Sequence, residues 1–458
     1  MELGDAVQAL VSHVHANGPT GWRTATMFYR CARSGWSGQS RYDNGWMSGA
    51  RDLCQNVADA LLAKADHAVY ELIVRSTGEF RFSHTHDLDR TPSPFIVRDK
   101  DFWLPGHPLP GSVPMPDHAE VTDAPTDPGV LAGVGDGHSE AEILATEQEL
   151  GARLPEALRA LYRVGHPGLG DYRLGSLDEL VEWHAGDDFT FGGWDHEDGP
   201  TASGTVPELR PYGHVKRLCR NDWWLPFAVS EDWEFLAVDL DPAPAGQPGQ
   251  VLRFDENTEI AGYVADSVER LLSPWTSPDE PEPKRIANGT LDLTPAPDLQ
   301  LLRTNAVAEV DMAALTVFPM LRELTVTGAD RVLAADLPSL EALDLNAREF
   351  DPTPLAGTTA LWSLSLRGLE HPVDARVIAT ISSLIRLDLS GVEVTNIEAL
   401  ADLPALRMLT LDKDRWTRVN LPNLAILGLD GGTLAERVAW LDRYDPLDRA
   451  RGLHVLEG

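Results

Sequence analysis

The sequence predicts two α+β domains, each with helices packed on an antiparallel sheet, followed by a C-terminal α/β solenoid. Three observations predict it. Up to residue 275, apolar residues at helical spacing alternate with short runs of period two. From Leu299 to Leu429 the pattern Leu-x-x-Leu-x-Leu returns about every twenty residues. Between these regions lie two stretches dense in proline, which supplies no N–H to a helix or a ladder. At 458 residues the chain has room for about three domains. The boundaries read as 1–105, a linker over 106–138, 139–275, a second linker over 276–285, and 286–458.

Residues 1–105 open with a short amphipathic helix carrying Leu3, Val7, Leu10, Val11 and Val14. Asn17-Gly-Pro-Thr-Gly21 is a turn. Residues 22–31 read as a strand, and 47–65 as a helix with Leu53, Val57, Leu61 and Leu62. Two strands, 68–75 and 79–86, are joined by Ser76-Thr-Gly78. The order is loosely similar to that of small bacterial immunity domains. The linker holds Pro105, Pro108, Pro110, Pro114, Pro116, Pro125 and Pro128, which rule out regular structure. Gly133, Gly135 and Gly137 are not followed by Lys-Ser/Thr, so they do not make a phosphate loop.

In residues 139–275, Ser139 is a good N-cap and Glu142 stands where a capping-box acid belongs. Ile143, Glu147 and Leu150 follow at helical spacing, and Gly151 ends the helix as a left-handed cap. Pro155 opens a second helix, with Leu158, Leu161 and Tyr162 on one face. Tyr172 and Leu174 come next, then a helix over 177–184 and a loop over 186–211. Strands over 223–229, 234–239 and 250–254 and a last helix over 260–272 complete the unit. Ile143, Glu147, Leu150-Gly151, Leu154-Pro155 and the run from Leu158 to Tyr162 resemble the opening of the SUKH superfamily, the Smi/Knr-type domains. Residues 224–241 resemble that family's central strand pair, and the likeness covers 139–274. Where the family often has Asn-Gly after the second helix, this chain has Gly165-His-Pro-Gly168, which still makes a turn.

The C-terminal pattern runs Leu321/Leu324/Val326, Leu340/Leu343/Leu345, Leu361/Leu364/Leu366, Leu384/Leu387/Leu389, Leu406/Leu409/Leu411 and Leu424/Leu427/Leu429. Leu299/Leu302/Thr304 is a weaker copy. The spacing is that of leucine-rich repeats, each setting a short strand on the concave wall of a solenoid. Only Asn346 stands at an asparagine site near a strand end, so there is no asparagine ladder. Residues 433–444, with Leu434, Val438 and Leu441, read as a capping helix. Strand alternation points the leucines inward. It turns Glu323, Thr325, Asp344, Asn346, Ser363, Ser365, Arg367, Arg386, Asp388, Thr410, Asp412 and Asp430 onto the concave face, a candidate recognition surface.

Lys and Arg number 38 and Asp and Glu 71, a net charge of −33. Such a chain repels phosphate backbones, which excludes a nucleic-acid-binding role, and it suits a basic partner or simple solubility. Cys31, Cys54 and Cys219 form no CxxC pair and read as buried thiols in a reducing compartment. Met1-Glu-Leu-Gly-Asp5 has no leader pattern and no apolar run reaches membrane-spanning length, so a cytoplasmic protein without a membrane partner is expected. His84 and His86 alternate onto one strand face beside Asp87 with ligand-like spacing. Phe80 and Phe82 share that face and no further ligand cluster is evident, so no metal is expected there. Nor is one expected at Asp239 and Asp241, which lead into the turn Pro242-Ala-Pro-Ala-Gly246. Trp223, Trp224 and Trp233 lie beside Glu231, Asp232 and Glu234, the makings of a hot spot for a basic partner. A core position explains the tryptophans equally, and alternation faces Trp223 and Trp224 oppositely. No catalytic signature is present, so neither an enzyme nor a cofactor is expected.

SUKH-superfamily proteins are widely found as bacterial immunity proteins that neutralise toxins, often nucleases. The resemblance implies an immunity or antitoxin-like protein whose partner is a basic toxin such as a nuclease, and an acidic domain would mimic the phosphate charge such a toxin expects. The alternative is a non-catalytic scaffold or regulatory adaptor that joins separate partners through its Smi/Knr-type domain and its repeats, as the yeast relatives suggest.

Overall fold

The computed structural model describes residues 2–33, 35–47, 49–87, 95–99, 136–166, 168–185, 205–218, 221, 223–255, 260–271, 284–445 and 451–458. They form a mixed α/β structure built on two antiparallel sheets and one largely parallel sheet, with a small parallel pair of strands, Val373–Asp374 and Val394–Thr395, beside the last.

In the first sheet, strand Thr24–Ala32 alternates buried and half-buried residues, with Ala25, Met27, Tyr29 and Cys31 inward. Helices Leu3–Ala16 and Arg51–Leu62 cover that face with Val7, Leu10, Val14, Val57 and Leu61. Strands His67–Arg75 and Phe80–Thr85 pair on one side. On the other side runs Gly35–Tyr42, a strand that no pattern in the sequence announces. Its Gly- and Ser-rich composition carries no apolar alternation, and its ladder from Ala25↔Tyr42 to Ala32↔Gly35 makes it a strand. The outermost strand, His454–Glu457, comes from the far end of the chain and pairs with Phe80–Thr85.

The second sheet has the order Ile260–Ala265, Gln250–Asp255, Glu234–Asp239, Trp224–Val229, Tyr172–Leu174, Gly168–Leu169, all antiparallel. Helices Glu140–Leu150, Glu156–Arg163 and Leu177–Ala185 supply Ile143, Leu158, Leu161 and Leu180 to its core. Ser139 forms the capping box, its side chain accepting from Glu142 N and its own N–H donating to Glu142 Oε2 at 2.7 Å. Gly151 caps the helix at φ 67°. Buried Glu147 accepts from Leu154 N at 2.8 Å and faces Arg159 Nε at 3.5 Å, so it fixes the turn between the two helices. Burial pushes the Glu147 carboxyl up and the Arg159 guanidinium down. The helix expected over 260–272 is instead the edge strand Ile260–Ala265 followed by a single helical turn, Val268–Leu271. Gly262 costs a helix about 1 kcal/mol relative to alanine, and in the strand it pairs with Arg253.

The third sheet is a parallel stack running from Lys284–Asn288, through Leu301–Asn305, Glu323–Leu333, Ala342–Phe350, Ser363–Arg367, Arg386–Asp388 and Met408–Asp412, to Ile426–Asp430. Its first strand begins inside the stretch read as a linker. Leu302, Leu324, Leu343, Leu364, Leu387, Leu409 and Leu427 lie opposite one another in a single buried row. Ile96, from the antiparallel strand Phe95–Val97, ends the row against Leu427. Helix Leu434–Tyr444 closes the stack behind a Thr433–Glu436 capping box.

Residues 205–218 of the middle unit dock beside the starts of these strands. Gln300 exchanges hydrogen bonds with the Glu208 backbone at 2.8 and 2.7 Å. Arg217 grips Glu341 with both guanidinium nitrogens, at 2.9 and 2.8 Å. Arg322 joins Glu341 at 2.8 Å.

Candidate partner-binding surfaces

Strands Trp224–Val229 and Glu234–Asp239 form a hairpin whose tip is held by Ser230. The Ser230 N–H donates to Glu234 O at 2.8 Å, and its hydroxyl accepts from Asp232 N at 3.3 Å and Glu234 N at 3.1 Å. This closure forces Trp233 to φ 61°, the left-handed region where a side chain costs about 1–2 kcal/mol. Trp233 is 65% exposed. Glu231 and Asp232 are exposed beside it, whereas Glu234 is half-buried and pairs with Arg253 at 3.5 Å. An aromatic row runs down from the tip: Trp233 lies 6.5 Å from Phe235, which meets Trp183 edge-on at 5.4 Å. At the lower end the Arg173 guanidinium lies over Trp183 at 5.8 Å and holds both oxygens of Glu179 at 2.8 and 2.9 Å. The hydrogen bond from Arg173 holds the Glu179 carboxyl down at about 2. Of the other tryptophans, Trp224 is core, tilted against Phe254, and Trp223 is half-buried.

On the face of the parallel sheet opposite the leucine row, the predicted residues fall into rows. Glu323, Ser363 and Arg386 share one, and Thr325, Asp344, Ser365, Asp388 and Thr410 another. Asn346 lies opposite Arg367, and Asp412 opposite Asp430. The expectation that all of them face solvent needs correction. Glu323, Ser363, Ser365 and Asp388 are buried, and Arg386 and Asp412 are half-buried. Strands about 4.8 Å apart let long arginine side chains lie over short neighbours. Arg367 donates to Asp388 at 2.7 Å, and Asp388 also accepts from Ser390 N at 2.9 Å. Burial holds the Arg386 guanidinium below its ordinary value against the pull of Asp388 and Asp344. At Arg367 burial is again the largest influence and acts the same way, but the hydrogen bond to Asp388 and the charges of Asp388, Asp344 and Asp430 together outweigh it and the value rises. Asp412 is ion-paired with Arg415. Thr325, Asp344 and Arg367 keep an exposed or half-exposed surface.

His84 stacks on His454 at 4.9 Å and meets His86 edge-on at 5.4 Å. Burial, then the neighbouring imidazoles, pushes His84 down to about 4. Among the described residues no group of three or more His, Cys, Asp or Glu is placed to hold a metal ion. Asp239 is buried, accepts from Gln250 Nε2 at 2.8 Å and from Asp241 N at 2.9 Å, and burial pushes it up to about 7. Asp241 in turn holds Lys216 and, at 3.0 Å, Asn221, and so ties the segment before the hairpin to the sheet, while Gln250 bridges Asp239 to the His214 carbonyl of that segment at 2.7 Å. Cys31 and Cys54 are buried and unbridged, and burial pushes the Cys31 thiol up to about 12, which leaves it inert as a nucleophile. Cys219, the prolines from Pro105 to Pro128 and the joint 277–283 lie outside the described residues.

Sequence reasoning missed the dock of residues 205–218 on Gln300, Arg322 and Glu341. Arg217 and Glu341 are 124 positions apart, and no local pattern marks either of them. A hydrophobic repeat reports the leucines and says nothing of the polar residue just before each strand.

The middle unit is thus a helix-covered antiparallel sheet with an acidic, tryptophan-tipped hairpin. Residues 137–273 match the SMI1 / KNR4 family (SUKH-1). Members of that family are immunity proteins in bacterial toxin systems. The chain is also similar to internalin C2 from Listeria monocytogenes at 25% sequence identity, covering 29% of this chain and 62% of that one with a TM-score of 0.24. It therefore spans less than two thirds of that protein. No curated protein matches the chain. No helix among the described residues is long and apolar enough to cross a membrane.

Proposed function

We propose that this chain is a bacterial immunity or antitoxin-like protein that binds and neutralises a basic toxin, such as a nuclease, by protein–protein contact. The observation that carries the reading is Trp233, an exposed aromatic on a strained hairpin tip between acidic residues. Strain at an exposed position is characteristic of binding sites, and an aromatic anchor ringed by charge is the composition of a hot spot. The net charge of −33 adds long-range attraction for a cationic partner. In this reading residues 286–458 are a leucine-rich-repeat solenoid that serves as a platform, and the protein is non-catalytic, cytoplasmic and free of cofactors. The second reading, an adaptor, draws support from the Arg367–Asp388 surface, which belongs to a different unit from the hairpin.

The test is co-expression with the toxin encoded beside its gene. The chain should restore growth, and purified toxin should associate faster at low salt than at high salt, since screening sets in over about 8–10 Å near physiological ionic strength. Absence of both rescue and binding overturns the immunity reading. Rescue with an association rate that ignores salt overturns charge mimicry.

A further inference from the structure

The aromatic row beneath the hairpin already holds one guanidinium. Arg173 lies over Trp183, and Glu179 accepts from both of its terminal nitrogens. A ring face supplies the quadrupole attraction, and a neighbouring carboxylate supplies the charge and the hydrogen bonds. The upper end of the row repeats the ingredients. Trp233 presents an exposed ring, and Glu231 and Asp232 are exposed next to it. Neither acid is ion-paired with a cation among the described residues, whereas Glu234 is engaged by Arg253. The Ser230 hydrogen bonds fix the backbone that carries the ring and the carboxylates, so little backbone order is lost on binding.

We propose that the hairpin tip recognises an arginine side chain displayed on the partner, with the indole of Trp233 against the guanidinium plane and Glu231 and Asp232 accepting its N–H groups. This rests on the partner-binding reading above and names the chemistry of the contact. The planar, weakly hydrated guanidinium stacks on a ring and forks onto carboxylates, and the compact, strongly hydrated lysine ammonium does neither as well. A basic surface rich in lysine alone would be attracted at long range but not anchored.

The experiment uses the full chain labelled with 5-fluorotryptophan, the Trp233 resonance being assigned by its loss in Trp233→Phe. The probes are the N-acetyl amides of arginine and lysine at fixed ionic strength. The Trp233 signal should move saturably, with arginine binding about two- to fivefold more tightly than lysine. The double variant Glu231→Gln, Asp232→Asn should lose most of that binding with its unfolding midpoint unchanged. A Trp233 signal that does not move, or that moves equally for both probes, overturns the proposal. The two readings fail separately. If Trp233→Ala weakens toxin binding while the Trp233 signal ignores arginine, partner binding stands and arginine recognition is wrong. If arginine binds at Trp233 but Trp233→Ala leaves neutralisation intact, the immunity reading stands on another surface and recognition of the partner's arginine by the hairpin tip is wrong.

Discussion

The carboxylate of Glu71 accepts a hydrogen bond from the backbone N–H of Leu434 at 3.0 Å, across 363 positions of sequence. Glu71 is buried in the first antiparallel sheet, and Leu434 opens the helix that closes the parallel stack. A negative group at a helix N-terminus satisfies an orphan donor and meets the positive end of the helix dipole. Burial nevertheless pushes the Glu71 carboxyl up, with the Leu434 hydrogen bond and Arg437 opposing it. The same helix lays Arg437 over the Phe28 ring at 4.9 Å. Each end of the chain also lends a strand to the other's sheet: Phe95–Val97 to the parallel stack, and His454–Glu457 to the first sheet.

The first and last units should therefore behave as one body, although the sequence reads as three separable domains. Proteolysis within 106–135 is expected to leave residues 1–105 and 286–458 associated on size exclusion. Glu71→Ala leaves the Leu434 N–H buried without a partner, at about 1–3 kcal/mol, and should lower the midpoint of their common transition. Fragments that separate after cleavage, or two independent transitions in the intact chain, would reject the interlock.

Leu364 and Leu387 face each other in neighbouring strands of the stack, and both are fully buried. Leu387→Ala should cost about 2–5 kcal/mol, and Leu387→Asp, which buries an unpaired charge, should unfold the stack. Circular dichroism and urea titration measure both. A folded Leu387→Asp protein would mean that the row is out of register.

The periodic parts of this fold were legible in the sequence because periodicity is local. The Leu-x-Leu rows, the Ser139 capping box and the strand pair over 68–86 each declare themselves within a few residues. Gly35–Tyr42 and Lys284–Asn288 were not legible, since their strand character comes from ladders and not from side-chain alternation. Residues 260–265 carried an apolar run that fits either period, and the pairing with Gln250–Asp255 decided it. Of the candidate site, the exposure of Trp233 was open, because a tryptophan beside acids is as often core. Only the left-handed backbone at the hairpin tip turns it outward. The burial of Glu323 and Asp388 depends on which long side chains lie across from them, which alternation does not report.

The closing strand should be sensitive to acid. An unfolded imidazole binds its proton near pH 6.5, and the folded His84 is held near 4 by burial and then by His454, His86 and Lys64, while Tyr70 faces it from the neighbouring strand. Between these values the opened chain binds the extra proton. Stability is thus full above about pH 6.5 and falls as pH drops toward 4. Amide protection at residues 454–457, taken relative to the intrinsic exchange rate at each pH, should fall over that range, and His84→Phe should flatten the response. An equal pH slope in His84→Phe would assign the sensitivity elsewhere.

Trp233 separates stability from function. Its backbone sits at φ 61°, where glycine is unstrained and any side chain with a β-carbon costs about 1–2 kcal/mol. Trp233→Gly should relieve that strain, and Trp233→Ala should keep it while also losing the ring. The glycine variant is therefore expected to be about 1 kcal/mol more stable than the alanine variant, less the entropy that glycine adds to the unfolded chain. It should match or exceed the parent protein, because a ring that is 65% exposed contributes little to the core. Both variants should lose affinity for the partner by similar factors, mainly through faster dissociation, as expected on removal of an aromatic anchor. Chemical denaturation and binding kinetics on the same preparations decide it. A glycine variant less stable than the parent would mean that the hairpin needs the ring for its own packing, and the case for Trp233 as a contact would fall with it; one less stable than alanine would mean that the backbone at 233 is not strained. A more stable glycine variant that no longer binds would show that the strained indole is retained for the partner and not for the fold.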